Sequence, residues 1–171
     1  MAIERIYLAG PDVFRPDAAG HGRKLVALCA EHGFTGVFPL DPSLTGEPAA
    51  LARRIYQANI AHIESCDAVL ANLQFFRGPE PDSGTCFEVG YAVARGKPVI
   101  GYLPEEGSFA ERIRARYPQA VGQGLVDAGG WQLEEFGLPL NLMLAVPCRI
   151  VVGDARAALA ALSDLAADRR P

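Results

Sequence analysis

The chain carries little of the residue patterning that holds metals or redox centres. Its four cysteines, Cys29, Cys66, Cys86 and Cys148, stand far apart with no C-x-x-C pair and no histidine at metal-ligand spacing beside them. No metal site is expected, and scattered thiols of this kind read as buried cysteines in a reducing compartment. Positive charge is also scarce. Sixteen Lys and Arg against twenty Asp and Glu leave a net charge of −4. The adjacent basic pairs, Arg53-Arg54 and Arg169-Arg170, are not interleaved with aromatics, which argues against nucleic acid as a partner. No apolar run approaches the ~20 residues of a membrane span. Glu4 and Arg5 interrupt the start before a signal-peptide core can form. The expectation is a cytoplasmic protein with no membrane partner. The first glycine turn, Ala9-Gly10-Pro11, lacks the G-x-G-x-x-G spacing of a dinucleotide fingerprint.

What the chain does have is an ordinary globular balance, half hydrophobic and 21% charged over 171 residues, enough for one domain (1–171) with a proper core. Strand-like and helix-like stretches alternate. Ile3 to Leu8, Gly36 to Leu40, Asp67 to Leu73, Pro98 to Tyr102 and Arg149 to Val152 read as strands. His21 to His32, Pro48 to Ser65, a helix opening near Asp82, a short one at Phe109 to Tyr117, a further short piece before the last strand, and Asp154 to Arg169 read as helices. That alternation predicts a flavodoxin-like α/β fold, a doubly wound sheet of five parallel strands with flanking helices. In such a sheet a ligand binds beyond the carboxyl ends of the strands. Gly10, the loop from Asn72 to Asp82 and the start of the following helix would share that edge.

The stretch Pro81-Asp-Ser-Gly-Thr-Cys-Phe-Glu-Val-Gly-Tyr91 concentrates the chemical interest. Glu88 is the one formal charge between Asp82 and Arg95, and a carboxylate among apolar neighbours is costly unless paired. Two readings are open. Thr85-x-x-Glu88 fits a capping box, with Asp82 or Ser83 as an ordinary N-cap. Alternatively, Glu88 and Asp82 face one cavity and do chemistry there. Elsewhere, Gly10 would let a ligand approach the backbone, and Phe14 is either a stacking face or simple packing. Asn59 lies on a mostly apolar helix face with Leu51, Ile55, His62 and Ile63, either as a satisfied core amide or aimed into the cavity. His62 reads as a packed or surface residue. The polar connection from Asp41 to Pro48 either covers a site or is plain surface loop.

Four segments in order resemble the nucleoside 2-deoxyribosyltransferase family over roughly residues 3 to 152: Ile6-Tyr7-Leu8-Ala9-Gly10-Pro11, Asn59-x-x-x-Ile63-x-x-x-Asp67, Asp82-Ser83-Gly84-Thr85-x-x-Glu88-x-Gly90, and Gly137-Leu138-Pro139-x-Asn141-Leu142-Met143. The resemblance implies a cofactor-free exchange of the nucleobase of a 2′-deoxynucleoside for a free base. A covalent glycosyl-enzyme would form on Glu88, with β configuration retained and some hydrolysis when no acceptor base is present. It gives Tyr7 the role of orienting Glu88 and Asp82 that of binding sugar hydroxyls, and it places Gly84 and Met143 in the substrate site. It also implies a homo-oligomer in which Asn141 is supplied to a neighbouring subunit's site. Asn59 departs from the many bacterial members that carry a proton-handling Asp there, because a neutral amide is not a general acid. Segment Arg77-Gly78-x-Glu80-Pro81-Asp82 is similar to trypanosomal members, which also carry Asn at the Asn59 position. Two other readings stand beside this one: an N-glycosidase of the same fold that uses water, and a nucleotide-binding module without turnover.

Overall fold

The computed structural model describes residues 2–40, 45–122, 124–127 and 129–168, and at its centre lies a five-stranded, all-parallel sheet. The strands are β1 (Arg5–Ala9), β2 (Thr35–Val37), β3 (Ala68–Asn72), β4 (Val99–Leu103) and β5 (Arg149–Val152), in the spatial order β2-β1-β3-β4-β5. The helices are α1 (Ala18–Glu31), α2 (Pro48–Ser65), α3 (Ser83–Ala94), α4 (Phe109–Arg116), α5 (Leu142–Ala145) and α6 (Ala155–Asp168). Five parallel strands in this order make the doubly wound, flavodoxin-like sheet that the alternating pattern predicts.

The period-two alternation of the strands builds two separate cores. Ile6 and Leu8 of β1, with Ala68, Leu70 and Ile100, pack under Leu25 and Cys29 of α1 and Leu159 and Leu162 of α6. Tyr7 and Ala9, one residue out of phase, join Val69, Ala71 and Val99 beneath Ile63 of α2, Val89 and Ala92 of α3, and Leu144 of α5. A one-residue slip of β1 would exchange these sets and drive the Tyr7 hydroxyl into the aliphatic packing under α1 and α6. Because β2 and β3 flank β1 on opposite sides, a crevice opens at the carboxyl ends of β1 and β3, the topological switch point.

Several boundaries differ from expectation for local reasons. The second strand stops at Val37, since Pro39 has no N–H to offer a ladder, and Phe38 to Leu40 turn toward the crevice. Helix α1 begins at Ala18 and runs through Gly20 and Gly22. Gly22 is buried, and the Phe38 ring occupies the space where its Cβ would stand. Cys29, Cys66 and Cys148 are buried as expected, but Cys86 is only half-buried, on the flank of α3. The turn at Asp41 lies outside the described residues, as does the end of the last predicted helix beyond Asp168. Between β4 and α5 the chain forms α4, a 3₁₀ turn at Pro118–Ala120 and two antiparallel bridges, over a small cluster of Phe109, Ile113 and Val121. Among the described residues no helix is long and apolar enough to cross a membrane.

Candidate active site

Helix α3 starts at the crevice because Asp82 caps it. Oδ2 of Asp82 accepts from the Thr85 backbone N–H and from Thr85 Oγ1, both at 2.9 Å. Gly84 leaves room for that carboxylate, since a Cβ there would meet Asp82 Oδ2 at 3.2 Å. The helix ends in a Schellman turn: Lys97 N–H donates to Ala92 O at 3.0 Å and Gly96 N–H to Val93 O at 2.9 Å, with Gly96 at φ +69°. The capping role is thus Asp82's. Glu88 takes no part in it, and the capping-box reading of Thr85-x-x-Glu88 fails.

Glu88 instead reaches across to β1. Tyr7, wholly buried, donates its hydroxyl to Glu88 Oε1 at 2.6 Å, and Asn59 Nδ2 of α2 donates to the same oxygen at 3.4 Å. Three elements therefore meet on one carboxylate oxygen. The spacing of α2 and α3 that permits this is braced at their far ends, where Arg95 pairs with Glu64 at 2.9 Å and Lys97 Nζ donates to Glu64 O at 3.0 Å. Burial pushes the Glu88 carboxyl up to about 7; the Tyr7 and Asn59 bonds pull it down, and the Asp82 charge adds to the rise. Burial, followed by the Glu88 charge, drives the Tyr7 phenol far above its ordinary value, so it stays protonated and acts as a donor.

In front of Glu88 lies a cavity of about 340 Å³ with two chemically distinct walls. One is polar: Asp82, Gly84, Thr85 and Glu88 from the first turns of α3. The other is largely apolar: Val13, Phe14, Phe38, Pro39 and Leu40 from the strand-end loops, with Ile55, Ala58, Asn59 and His62 from α2. The first wall suits a hydroxylated sugar and the second a flat heterocycle. Phe14, 55% exposed, is backed by Phe76 in a stacked pair at 5.4 Å, and the Arg77 guanidinium lies over both rings. Gly10 lines the cavity mouth, but close packing is what requires a glycine there. A Cβ would stand 2.8 Å from both Asn72 Cβ and Asp12 Oδ2, in a buried cluster where Asp12 also accepts from Asn72 Nδ2 at 2.8 Å and lies 3.0 Å from His21 Nε2. Among the described residues, no group of three or more His, Cys, Asp or Glu stands close enough to hold a metal ion.

Of the residues singled out in the sequence, Tyr7, Gly10, Phe14, Asn59, Asp82, Gly84 and Glu88 come together here. Asn141 and Met143 do not. Asn141 caps α5, accepting from Met143 N–H at 2.9 Å and donating to Glu134 Oε1 at 2.8 Å, beside a second cavity that Glu80, Phe109 and Val121 also line. Its segment is fixed by Arg112, whose buried guanidinium donates to Pro139 O at 2.6 Å and lies over the Phe75 ring. Met143 is 73% exposed. His62, a packed or surface residue by sequence alone, also lines the cavity. Its place was readable: His62 follows Asn59 by three, so both share one helix face. Phe38 and Leu40, which the sequence pattern places in a strand, lie beyond the end of β2 and line the cavity.

Comparison with known proteins gives a consistent picture. The family model for nucleoside 2-deoxyribosyltransferase matches residues 6–143. A solved structure described as a 2-desoxiribosyltransferase from Leishmania mexicana superposes with a TM-score of 0.75 at 33% identity, covering 94% of this chain and 97% of that one. An uncharacterized protein of Schizosaccharomyces pombe is 34% identical over 125 residues, 70% of this chain and 59% of its own length. A putative 2′-deoxynucleoside 5′-phosphate N-hydrolase of Thermofilum pendens is 29% identical over 104 residues, 60% of this chain and 69% of its own. The chain thus spans little more than half of the first of these two curated relatives.

Proposed function

This chain belongs to the nucleoside 2-deoxyribosyltransferase family, and we propose that it exchanges the base of 2′-deoxynucleosides through a deoxyribosyl ester on Glu88. In the first step Glu88 attacks C1′ as the C1′–N bond breaks and its electron pair leaves with the base. The negative charge of the carboxylate stabilises the oxocarbenium character that develops. In the second step a nitrogen of the incoming base attacks C1′ from the opposite face to the ester and the Glu88 C–O bond breaks. Two inversions restore the β configuration. Asp82 holds sugar hydroxyls with Oδ1, since Oδ2 serves the cap. Phe14 stacks on the base.

One observation carries this reading: both donors to Glu88, Tyr7 and Asn59, bind Oε1, which leaves Oε2 without a bond among the described residues and able to face C1′. Glu88 lines the cavity, so that free oxygen has room in front of it for a substrate. Incubating 2′-deoxyinosine with excess free adenine tests it, with chromatography of the products. New 2′-deoxyadenosine is the expected result. Free deoxyribose as the sole sugar product would overturn transfer in favour of hydrolysis, the reading that the Thermofilum pendens relative's name supports. Asp82 favours an unphosphorylated substrate, because a carboxylate beside the sugar repels a 5′-phosphate.

The shared-site part of the proposal rests on Asn141 lying outside its own chain's Glu88 cavity, next to the exposed Met143 and Val146. A second copy seated on that apolar surface would receive Asn141 at the sugar's 5′ side. Mixing Asn141→Ala with Glu88→Ala subunits should restore part of the activity that each lacks alone. A monomer at working concentration, or no complementation between the two, would sink this part.

A further inference from the structure

The two walls of the cavity pose a question about protons. A departing base that leaves as an anion is a poor leaving group unless a proton reaches it in the transition state. Asn59 is a neutral amide and donates its Nδ2 hydrogen to Glu88, so it has no proton to give. Tyr7 is buried and committed to the same oxygen. Glu88 has to be ionised to attack. Asp82, on the opposite wall, is bound through Oδ2 to Thr85.

Among the described cavity-lining residues that leaves His62. It sits on the apolar wall with Phe38, Leu40, Ile55, Ala58 and Asn59, one helical turn beyond Asn59 on the same face of α2. Its imidazole is half-buried and makes no hydrogen bond or ion pair among the described residues; only its backbone carbonyl is used, by Ser65 Oγ at 2.9 Å. The charged groups lining the cavity with it are Asp82 and Glu88, both from α3. Histidine is the side chain whose charge changes near neutrality, which suits it to pass a proton in both directions.

We propose that His62 is the proton donor to the departing base and the acceptor from the arriving one, in place of the missing acid at position 59. The assignment rests on the base-exchange reading above. As C1′–N breaks, the imidazolium proton goes to a ring nitrogen of the base, which leaves neutral, and His62 is left neutral. In the second half-reaction the incoming base bonds to C1′, and a ring N–H proton passes back to His62 as Glu88 is released as carboxylate. Each half-reaction returns what the other took.

The test compares two leaving groups in wild type, His62→Gln and Glu88→Ala, by release of the departing base in a single turnover with enzyme in excess and no acceptor base, so that the first half-reaction alone is read. 2′-Deoxyguanosine needs a proton to leave. 7-Methyl-2′-deoxyguanosine already carries its positive charge and does not. For His62→Gln, turnover of 2′-deoxyguanosine should fall about 100-fold, while 7-methyl-2′-deoxyguanosine should fall less than about threefold, which also shows that the variant is folded. The low-pH-favoured part of the wild-type rate with 2′-deoxyguanosine should be absent in the variant. Equal losses on both substrates would reduce His62 to a structural or packing residue and overturn the proposal, as would no loss on either. Glu88→Ala should be dead on both. Wild type inert toward both substrates would instead overturn the base-exchange reading itself.

Discussion

The two faces of the sheet are made from the same five strands but follow different rules. Under α1 and α6 the core is mainly aliphatic: Ile6, Leu8, Leu70, Ile100, Leu159 and Leu162 fill it, with Tyr102 packed against them. Under α2 and α3 the same alternation brings in Tyr7, and with it a hydroxyl, a carboxylate and an amide converge where water is largely excluded. The first face lowers the energy of the fold. The second gives some of that back, because a sheltered carboxylate whose pKa is pushed up to about 7 is being held away from the solvent that would ionise it. What sets the second face apart is that its carboxylate opens onto the cavity at the switch point.

The comparison breaks most severely at Glu88. Glu88→Ala should lower base exchange by at least about 1,000-fold, on the order of 4 kcal/mol of barrier, with the fold intact. Activity within about tenfold of wild type, ~1.4 kcal/mol, would remove the nucleophile from Glu88. The opposite face should respond in the opposite way. Leu159→Ala, in the fully buried centre of α6, should cost about 2–5 kcal/mol of stability, read from denaturant unfolding. Exchange per folded molecule should be unchanged. A change in kcat from that substitution would mean the faces are coupled.

A smaller effect sharpens the contrast. Glu88→Gln keeps shape and hydrogen bonding but removes the charge, so it should stabilise the protein while abolishing exchange. The folded-state pKa of Glu88 is raised, so its protonated form is the one the fold favours. The stability associated with this group is therefore full below about pH 4.5 and lost as pH rises through about 7. The gain from Glu88→Gln should accordingly be absent at pH 4.5 and present at pH 8, on the order of 1–3 kcal/mol, or ~3–8 °C in Tm. Equal Tm values for the two proteins at both pH values would show that the carboxylate is not sheltered.

How much of this the sequence discloses also divides by face. The apolar face is written in the alternation of Ile6 and Leu8 and in the Leu and Ala spacing of the last helix, and those elements appear within one to three residues of expectation. The polar face is legible only in fragments. Asp82 and Glu88 are visible as charges flanking an apolar stretch, yet the capping-box pattern at Thr85 is equally satisfied by spacing. What separates the two readings is the distance from Glu88 to Tyr7, 81 residues away, which local periodicity does not contain. Phe38 and Leu40 were absorbed into a strand because β-propensity does not register that Pro39 ends the ladder. His62 was passed over because a histidine on an apolar helix face is ordinary until the cavity beside it is known. Asn141 is the extreme case, since its proposed partner surface belongs to another molecule.

The mildest test concerns the residue that ties β1 to Glu88. Tyr7→Phe deletes one hydroxyl and leaves Oε1 of Glu88 with only the 3.4 Å bond from Asn59. Two readings of Tyr7 diverge here. If it exchanged protons with substrate, its loss would be catastrophic and would remove a limb of the pH profile. But its phenol is driven far above the ordinary tyrosine value, which fits a hydrogen-bond donor to the carboxylate and not a proton carrier. Loss of one hydrogen bond to a charged group should then cost about tenfold in kcat/KM, ~1.4 kcal/mol. The Tyr7 bond is one of the terms that hold the Glu88 pKa down. The acid limb of the wild-type rate profile is expected near pH 7, and removing this bond should shift it to higher pH. A limb that stays in place, or moves down, would mean that the 2.6 Å contact does not bias the ionisation of Glu88. The polar face would then owe its chemistry to burial alone.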